Sequence, residues 1–181
     1  MDAVFSPVLI AIFVIAPIGA IDAMYFHNIK YKLYANPDSR KEQVTHILRA
    51  FMLGIAVLFM VAFEPHGTWF WGVGTIFVID FLNNVIDVSL EHASRKNLGG
   101  LEREEYIIHI VGASGMGGVT FIYFALGWHL ADLPTALAPV EHHTLVMVAG
   151  YAVVAGGILG GLSEAILTIK HLGQGADQTG G

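Results

Sequence analysis

Five apolar runs, at residues 5–27, 46–63, 68–92, 105–128 and 144–169, set the terms for this chain. A helix rises 1.5 Å per residue, so each run is of a length to cross a hydrocarbon core of about 30 Å. The 181 residues are 55 % hydrophobic and only 13 % charged, which is membrane composition. The expected fold is all-α, a polytopic membrane helix bundle of five transmembrane helices. It forms one domain over residues 1–172, and residues 173–181 read as a disordered tail.

The basic residues are Lys30, Lys32, Arg40, Lys41, Arg49, Arg95, Lys96, Arg103 and Lys170. Five spans put all of them on one side, since the connections 64–67 and 129–143 hold none. The positive-inside rule then predicts an N-terminus outside and a C-terminus in the cytoplasm of a bacterial inner membrane. The N-terminal residues before the first run carry no basic group, so that run reads as a retained span and not as a cleaved signal. Trp69, Trp71 and Trp128 fall on the non-basic side and read as interfacial anchors. The net charge of −6 argues against a nucleic-acid partner, and the absence of cysteine excludes disulfides and thiolate ligands.

The polar residues inside the runs carry the functional information. Asp80, Asn84, Asp87 and Glu91 are spaced four, three and four apart, which is one stripe down one helix face. A carboxylate at bilayer depth costs roughly 2.5–3.5 kcal/mol on insertion scales. Such residues line a cavity, bind an ion or pair with a partner. Glu105 and His109 share a face, as do Glu42, His46 and Arg49, and Glu164, Thr168 and His171. Pro17 predicts a kink in the first span. Asp22 and His27, five apart, point in different directions on a regular α-helix unless Pro17 distorts it.

Topology gathers these groups on the basic side. His27, His46, Asp87, Glu91, Glu105 and His109 are the candidate metal ligands. Asp22, Arg49, Asp80, Asn84 and Glu164 complete a polar seam. Carboxylates supply hard oxygen and charge, and imidazoles suit borderline metals. The pattern is similar to the di-iron carboxylate bundles, in which helices contribute glutamates and Glu/His pairs. Iron is the expected divalent metal, with zinc and manganese as alternatives. The usual Glu-x-x-His spacing is replaced by four residues between Glu105 and His109, and the dense histidine boxes of membrane desaturases are absent. Two roles stay open for His109: ligand, or a hydrogen-bonding tie to Asp87 or Glu91. Glu91 beside His92 and Arg95 also reads as a solvated ion pair, and Arg49 as the group that neutralises the carboxylates if no metal is present.

On the other side, His66, His129, Asp132, Glu141, His142 and His143 form a second group. It reads as solvated, or as a copper or zinc site at His142 and His143. Four-residue pairs of small residues, among them Ala113/Gly117, Gly156/Gly160 and Gly157/Gly161, predict close helix packing within the monomer, or a homodimer.

The run Asp87-Val-Ser-Leu-Glu91, with Ser94-Arg95, Gly99-Gly100-Leu and Glu105-Tyr-Ile-Ile-His109, resembles an uncharacterised bacterial family of small multi-span integral membrane proteins. Tyr25-Phe-His27, Ser39-Arg40 and His46-Ile-Leu-Arg49 are similar to its first half, so the resemblance covers residues 22–110. It implies importance for His27, His46, Arg49, Asp87, Glu91, Arg95, Glu105 and His109, and implies no activity.

Three functions follow. The first is an oxidoreductase or hydroxylase with a metal centre, acting on a lipid-like substrate such as an acyl or isoprenoid chain. The second is a non-enzymatic subunit of a larger membrane complex, or a proton or cation carrier using the Asp80-to-Glu91 seam. The third is a haem b held between His46 and His109.

Overall fold

The computed structural model describes residues 3–177, with side chains described to residue 171. It contains five long helices: α1 (Ser6–Ile21), α2 (Arg40–Ala62), α3 (Thr68–Ser94), α4 (Arg103–Gly127) and α5 (Thr144–Asp177). Five helical stretches are long and apolar enough to cross a membrane. Large apolar side chains such as Phe121, Leu145 and Ile169 are more than 60 % exposed, as suits a lipid-facing surface.

Packing joins α2 to α5 and α3, and α1 to α4. The α2–α5 contact is close because glycines line it. A Cβ on Gly157 would sit 2.7 Å from the Ala50 carbonyl oxygen and 3.2 Å from the Gly54 backbone. Small residues at an interface allow this backbone approach, which bears out the packing role of that half of the glycine pattern. The apolar core lies toward the end without basic residues. There the Phe5, Tyr123 and Phe70 rings stack at 4.9 and 5.1 Å between centroids, and the Tyr123 hydroxyl donates to the Phe70 carbonyl at 2.7 Å.

Two boundaries and one pair of strands differ from the sequence reading. The second helix begins at Arg40, well before the apolar run at His46, so Glu42 belongs to it. Asn36 caps the preceding turn by accepting from the Asp38 amide at 3.2 Å. The fifth helix continues to Asp177, past the point where the tail was expected to start, and residues 178–181 lie outside the described residues. The connections at the non-basic end contain two short strands, β1 (Phe63–His66) and β2 (Ala136–Pro139). They pair antiparallel, Phe63 opposite Pro139 and His66 opposite Ala136, so each satisfies the other's backbone groups.

The departure that matters most follows α1. Residues Asp22–Lys30 form a π-helical segment, closed by the Tyr31 amide donating to the Phe26 carbonyl at 2.9 Å. Bonds that run i→i+5 widen the turn to about 4.4 residues. Residues five apart then share a face, which an α-helix forbids. Asp22 and His27 both turn inward for this reason. The distortion lies in the turns themselves, beyond Pro17, which stays inside regular α1.

Candidate metal centre

At the basic end, the π-segment, α2, α3 and α4 converge on His27. Its side chain is 0 % exposed, and neither ring nitrogen has a hydrogen-bond partner. Three carboxylate oxygens from three elements face Nε2: Asp22 Oδ1 at 3.5 Å, Glu105 Oε1 at 3.7 Å and Glu42 Oε1 at 3.8 Å. Asp22 Oδ1 and Glu42 Oε1 are themselves buried without hydrogen-bond partners. Buried polar atoms are paired in the great majority of cases, so this convergence of orphans requires a cause.

A metal ion supplies one. Two donors each about 2.1 Å from an ion lie about 3.0 Å apart at an octahedral angle and about 3.4 Å apart at a tetrahedral one. The spacings around His27 are slightly wider, and His109 Nε2 is hydrogen-bonded to Asp22 Oδ2 at 2.9 Å, a bond that an ion between them would replace. Two groups have donor atoms mutually within 4.8 Å: Asp22, His27, Glu105 and His109; and His27, Glu42 and His46. The residues fit a bound ion by donor type, spacing and burial.

The charge balance points the same way. Asp22, Glu42, Asp87, Glu91 and Glu105 are all buried here, against the guanidiniums of Arg95 and Arg49. Asp80 is buried against the same Arg49, so with neutral imidazoles six acids against two cations leave four uncompensated negative charges. A divalent ion reduces that deficit.

Around the inner group is a set of side chains that hold it. Glu91 Oε1 is paired to His109 Nδ1, and Asp87 Oδ2 lies 3.1 Å from His46 Nε2. Asp87 also accepts from the Thr45 hydroxyl. Carboxylates behind ligand histidines fix ring orientation and raise basicity. Asp87 and Glu91, expected as ligands, thus sit on the histidines and outside both donor groups.

Arg95 is the largest fully buried side chain. Its Nη1 donates to Glu42 Oε2 at 2.7 Å, its Nε to Glu105 Oε1 at 3.1 Å, and its Nη2 also pairs with Glu105. It therefore bridges α2 and α4 and leaves Glu42 Oε1 facing His27. Burial alone would lower its pKa, but the bonds to Glu105 and Glu42 outweigh burial and raise it further. The guanidinium lies 5.0 Å above the Tyr31 ring, whose hydroxyl has its pKa raised, first by burial and then by Glu105 and Glu102.

The remaining seam residues sort by their partners. Arg49 donates to Asn84 Oδ1 at 2.6 Å and lies 3.5 Å from Asp80 and 3.7 Å from Asp87. It thus contacts three of the four residues of the α3 stripe. Glu164 accepts from Asn28 Nδ2 at 3.3 Å. His92 is exposed and His171 packs beside the Tyr34 ring, so neither joins the site.

The His27, His46 and His109 rings form a triangle with centroid distances of 4.0, 6.0 and 6.3 Å. A haem between His46 and His109 would place the third ring inside its disc, so the haem arrangement does not fit. A cavity of about 840 Å³ opens beside the centre, with Asp22, His46 and His109 in its wall.

Sequence reasoning missed Glu42 and Arg95 as members of the site. Glu42 carried one signal, a four-residue spacing to His46. Arg95 was singled out only by the family resemblance, and its charge was read as part of a solvated pair with Glu91. The second histidine group, at the other end, forms no donor cluster among the described residues. His142 is buried with both nitrogens engaged, Nδ1 with the Ser6 hydroxyl and Nε2 with the Met60 carbonyl, each at 2.9 Å. No family model, no curated protein and no solved structure matches this chain, so the reading rests on these residues.

Proposed function

We propose that the chain is a multi-pass inner-membrane metalloprotein that holds a divalent ion, iron first, zinc or manganese otherwise, at its cytoplasmic end. It acts as an oxidoreductase or hydroxylase on a hydrophobic substrate. One observation carries the reading: a fully buried histidine with two unpartnered nitrogens, faced by carboxylates from three segments of the chain.

The donor set is mixed oxygen and imidazole, which suits iron, zinc and manganese more than copper(I) or calcium. Iron bound there supplies one-electron and dioxygen chemistry. The chain's own residues do the rest. Asp22, Glu42 and Glu105 provide charge, and His27 and His109 provide nitrogen. Arg95 holds two carboxylates in place, while Asp87 and Glu91 hold two imidazoles. The apolar wall beside the site admits a hydrophobic molecule and excludes water.

The carrier reading has less support. Asp80, Asn84, Asp87 and Glu91 each already have an internal partner in Arg49, His46 or His109.

The test is anaerobic loading with ferrous iron followed by exposure to oxygen. The proposal expects stoichiometric iron uptake and oxygen consumption that depends on added iron and is absent from zinc-loaded protein. Protein that takes up only zinc, or that holds iron without consuming oxygen, would overturn the oxidoreductase assignment.

A further inference from the structure

We infer that the cavity beside the centre holds a single-chain lipid with a small neutral oxygen terminus, an alcohol or aldehyde, lying head toward His46 and tail toward the bilayer midplane. The inference rests on the metal reading only for which end of the lipid reacts.

The cavity, at about 840 Å³, falls within the roughly 300–1,000 Å³ of small-molecule sites. Its polarity changes along its length. At one end stand Asp22, His46, Asp80 and Glu164, and at the other Ile12, Met116 and Val153. Ten residues of helix separate Ile12 from Asp22, about 15 Å at 1.5 Å per residue. An amphipathic chain fits this gradient in one orientation only.

The walls are built from missing side chains. Gly112, Gly156 and Gly160 line the cavity, and a Cβ at any of them would meet no atom within 4 Å. These glycines keep space open, whereas the neighbouring Gly157 is pressed against α2. Phe13 and Leu159 line the cavity and are also 47 % and 65 % exposed on the apolar surface, so it communicates sideways with lipid.

The head end points to a ligand. Asn28 lines this end and has an Oδ1 buried with no hydrogen-bond partner, an acceptor for a hydroxyl, while Asp22 Oδ1 faces His27 and belongs to the metal set. The local charges favour a neutral group there. Asp80 and Glu164 both line this end, and Arg49, the one Lys or Arg in the cavity wall, already pairs with Asp80 and Asp87. An anionic head would add a further negative charge at low dielectric.

The test uses full-length protein in detergent and two long-chain alcohols, one with a diazirine beside the hydroxyl and one with it near the methyl end. Mass spectrometry maps the labelled residues, and metal content is measured on the same samples. The head-end probe is expected to label the π-segment and the tail probe the stretch around Ile12 and Met116. The corresponding fatty acid should compete less well than the unlabelled alcohol. Gly156→Leu with Gly160→Leu, which point into open space, should cut labelling about tenfold or more with metal content unchanged. A reversed pattern, labelling spread evenly over the outer surface, or labelling undiminished by the two leucines overturns the inference. The expected labelling in metal-free protein sustains it and removes the metal reading; its absence from metal-loaded protein overturns the inference alone.

Discussion

The two ends of the bundle both gather histidines and acids, and they differ in how those groups are satisfied. At the non-basic end, His142 has a partner on each nitrogen, and His66 sits 3.0 Å from Glu64 Oε1. These rings are pins that hold the N-terminus of α1, the end of α2 and the strand connections. At the basic end, His27 is buried with no hydrogen bond at all, and the carboxylates facing it keep an oxygen free. Both ends present imidazole and carboxylate in the sequence. Leftover hydrogen-bonding capacity marks His27 as a ligand position, whereas His109, hydrogen-bonded to Asp22 and paired to Glu91, becomes a ligand only by exchanging Asp22 for the ion.

Substitutions can break that contrast, ordered here by their effect on bound metal. Glu105→Ala and His109→Ala should each lose stoichiometric metal, measured by elemental analysis after gel filtration. Retention of metal in both would mean that the donor groups are misassigned.

Arg95→Met should act at one remove. Losing the guanidinium leaves Glu42 and Glu105 buried without their counter-ion, a change that costs about 3–5 kcal/mol in comparable buried pairs. The surviving folded protein should bind metal about 10–100-fold more weakly, as for other residues that support ligands. Titration with a competing chelator reads the affinity, and thermal unfolding in detergent reads the stability. Unchanged values in both would show that the clamp has no role.

Asp87→Asn is milder, since Thr45 still donates to the remaining oxygen. It should weaken metal binding by about tenfold, at the lower end for such partners, through looser placement of His46. Full affinity in this variant would make the Asp87–His46 pair purely structural.

His142→Ala should leave metal content untouched and cost about 1–3 kcal/mol for two lost hydrogen bonds. Loss of metal in this variant would erase the distinction between the two ends.

Metal removal sharpens the contrast at the level of the whole protein. An ion at 100 times its Kd stabilises the folded state by about 2.7 kcal/mol, so chelation should lower the unfolding temperature of the native chain. The His109→Ala variant should show no such shift.

The sequence carried the bundle and the gathering of acids and imidazoles at the basic end. Apolar run length fixes a helix long enough to span, and four-residue spacing fixes a shared face, so α3, α4 and the Glu105–His109 pair were legible. The inward turn of Asp22 toward His27 was not, because a π-segment follows from local backbone bonding and leaves no periodic mark. Arg95 was hidden for a related reason. An arginine just past a helix end reads as solvated, and only the turn that folds it back between Glu42 and Glu105 buries it. The start of α2 was obscured because Glu42 and Gln43, polar by type, are buried there. The glycines of α5 were read as packing, which holds for Gly157, while Gly156 and Gly160 face open space.

Elemental analysis of the purified, detergent-solubilised protein beside His27→Ala tests the account most directly. The account predicts at least one transition-metal ion per native chain and none retained by the folded variant. A native chain that is folded, active in lipid binding and free of metal would contradict it.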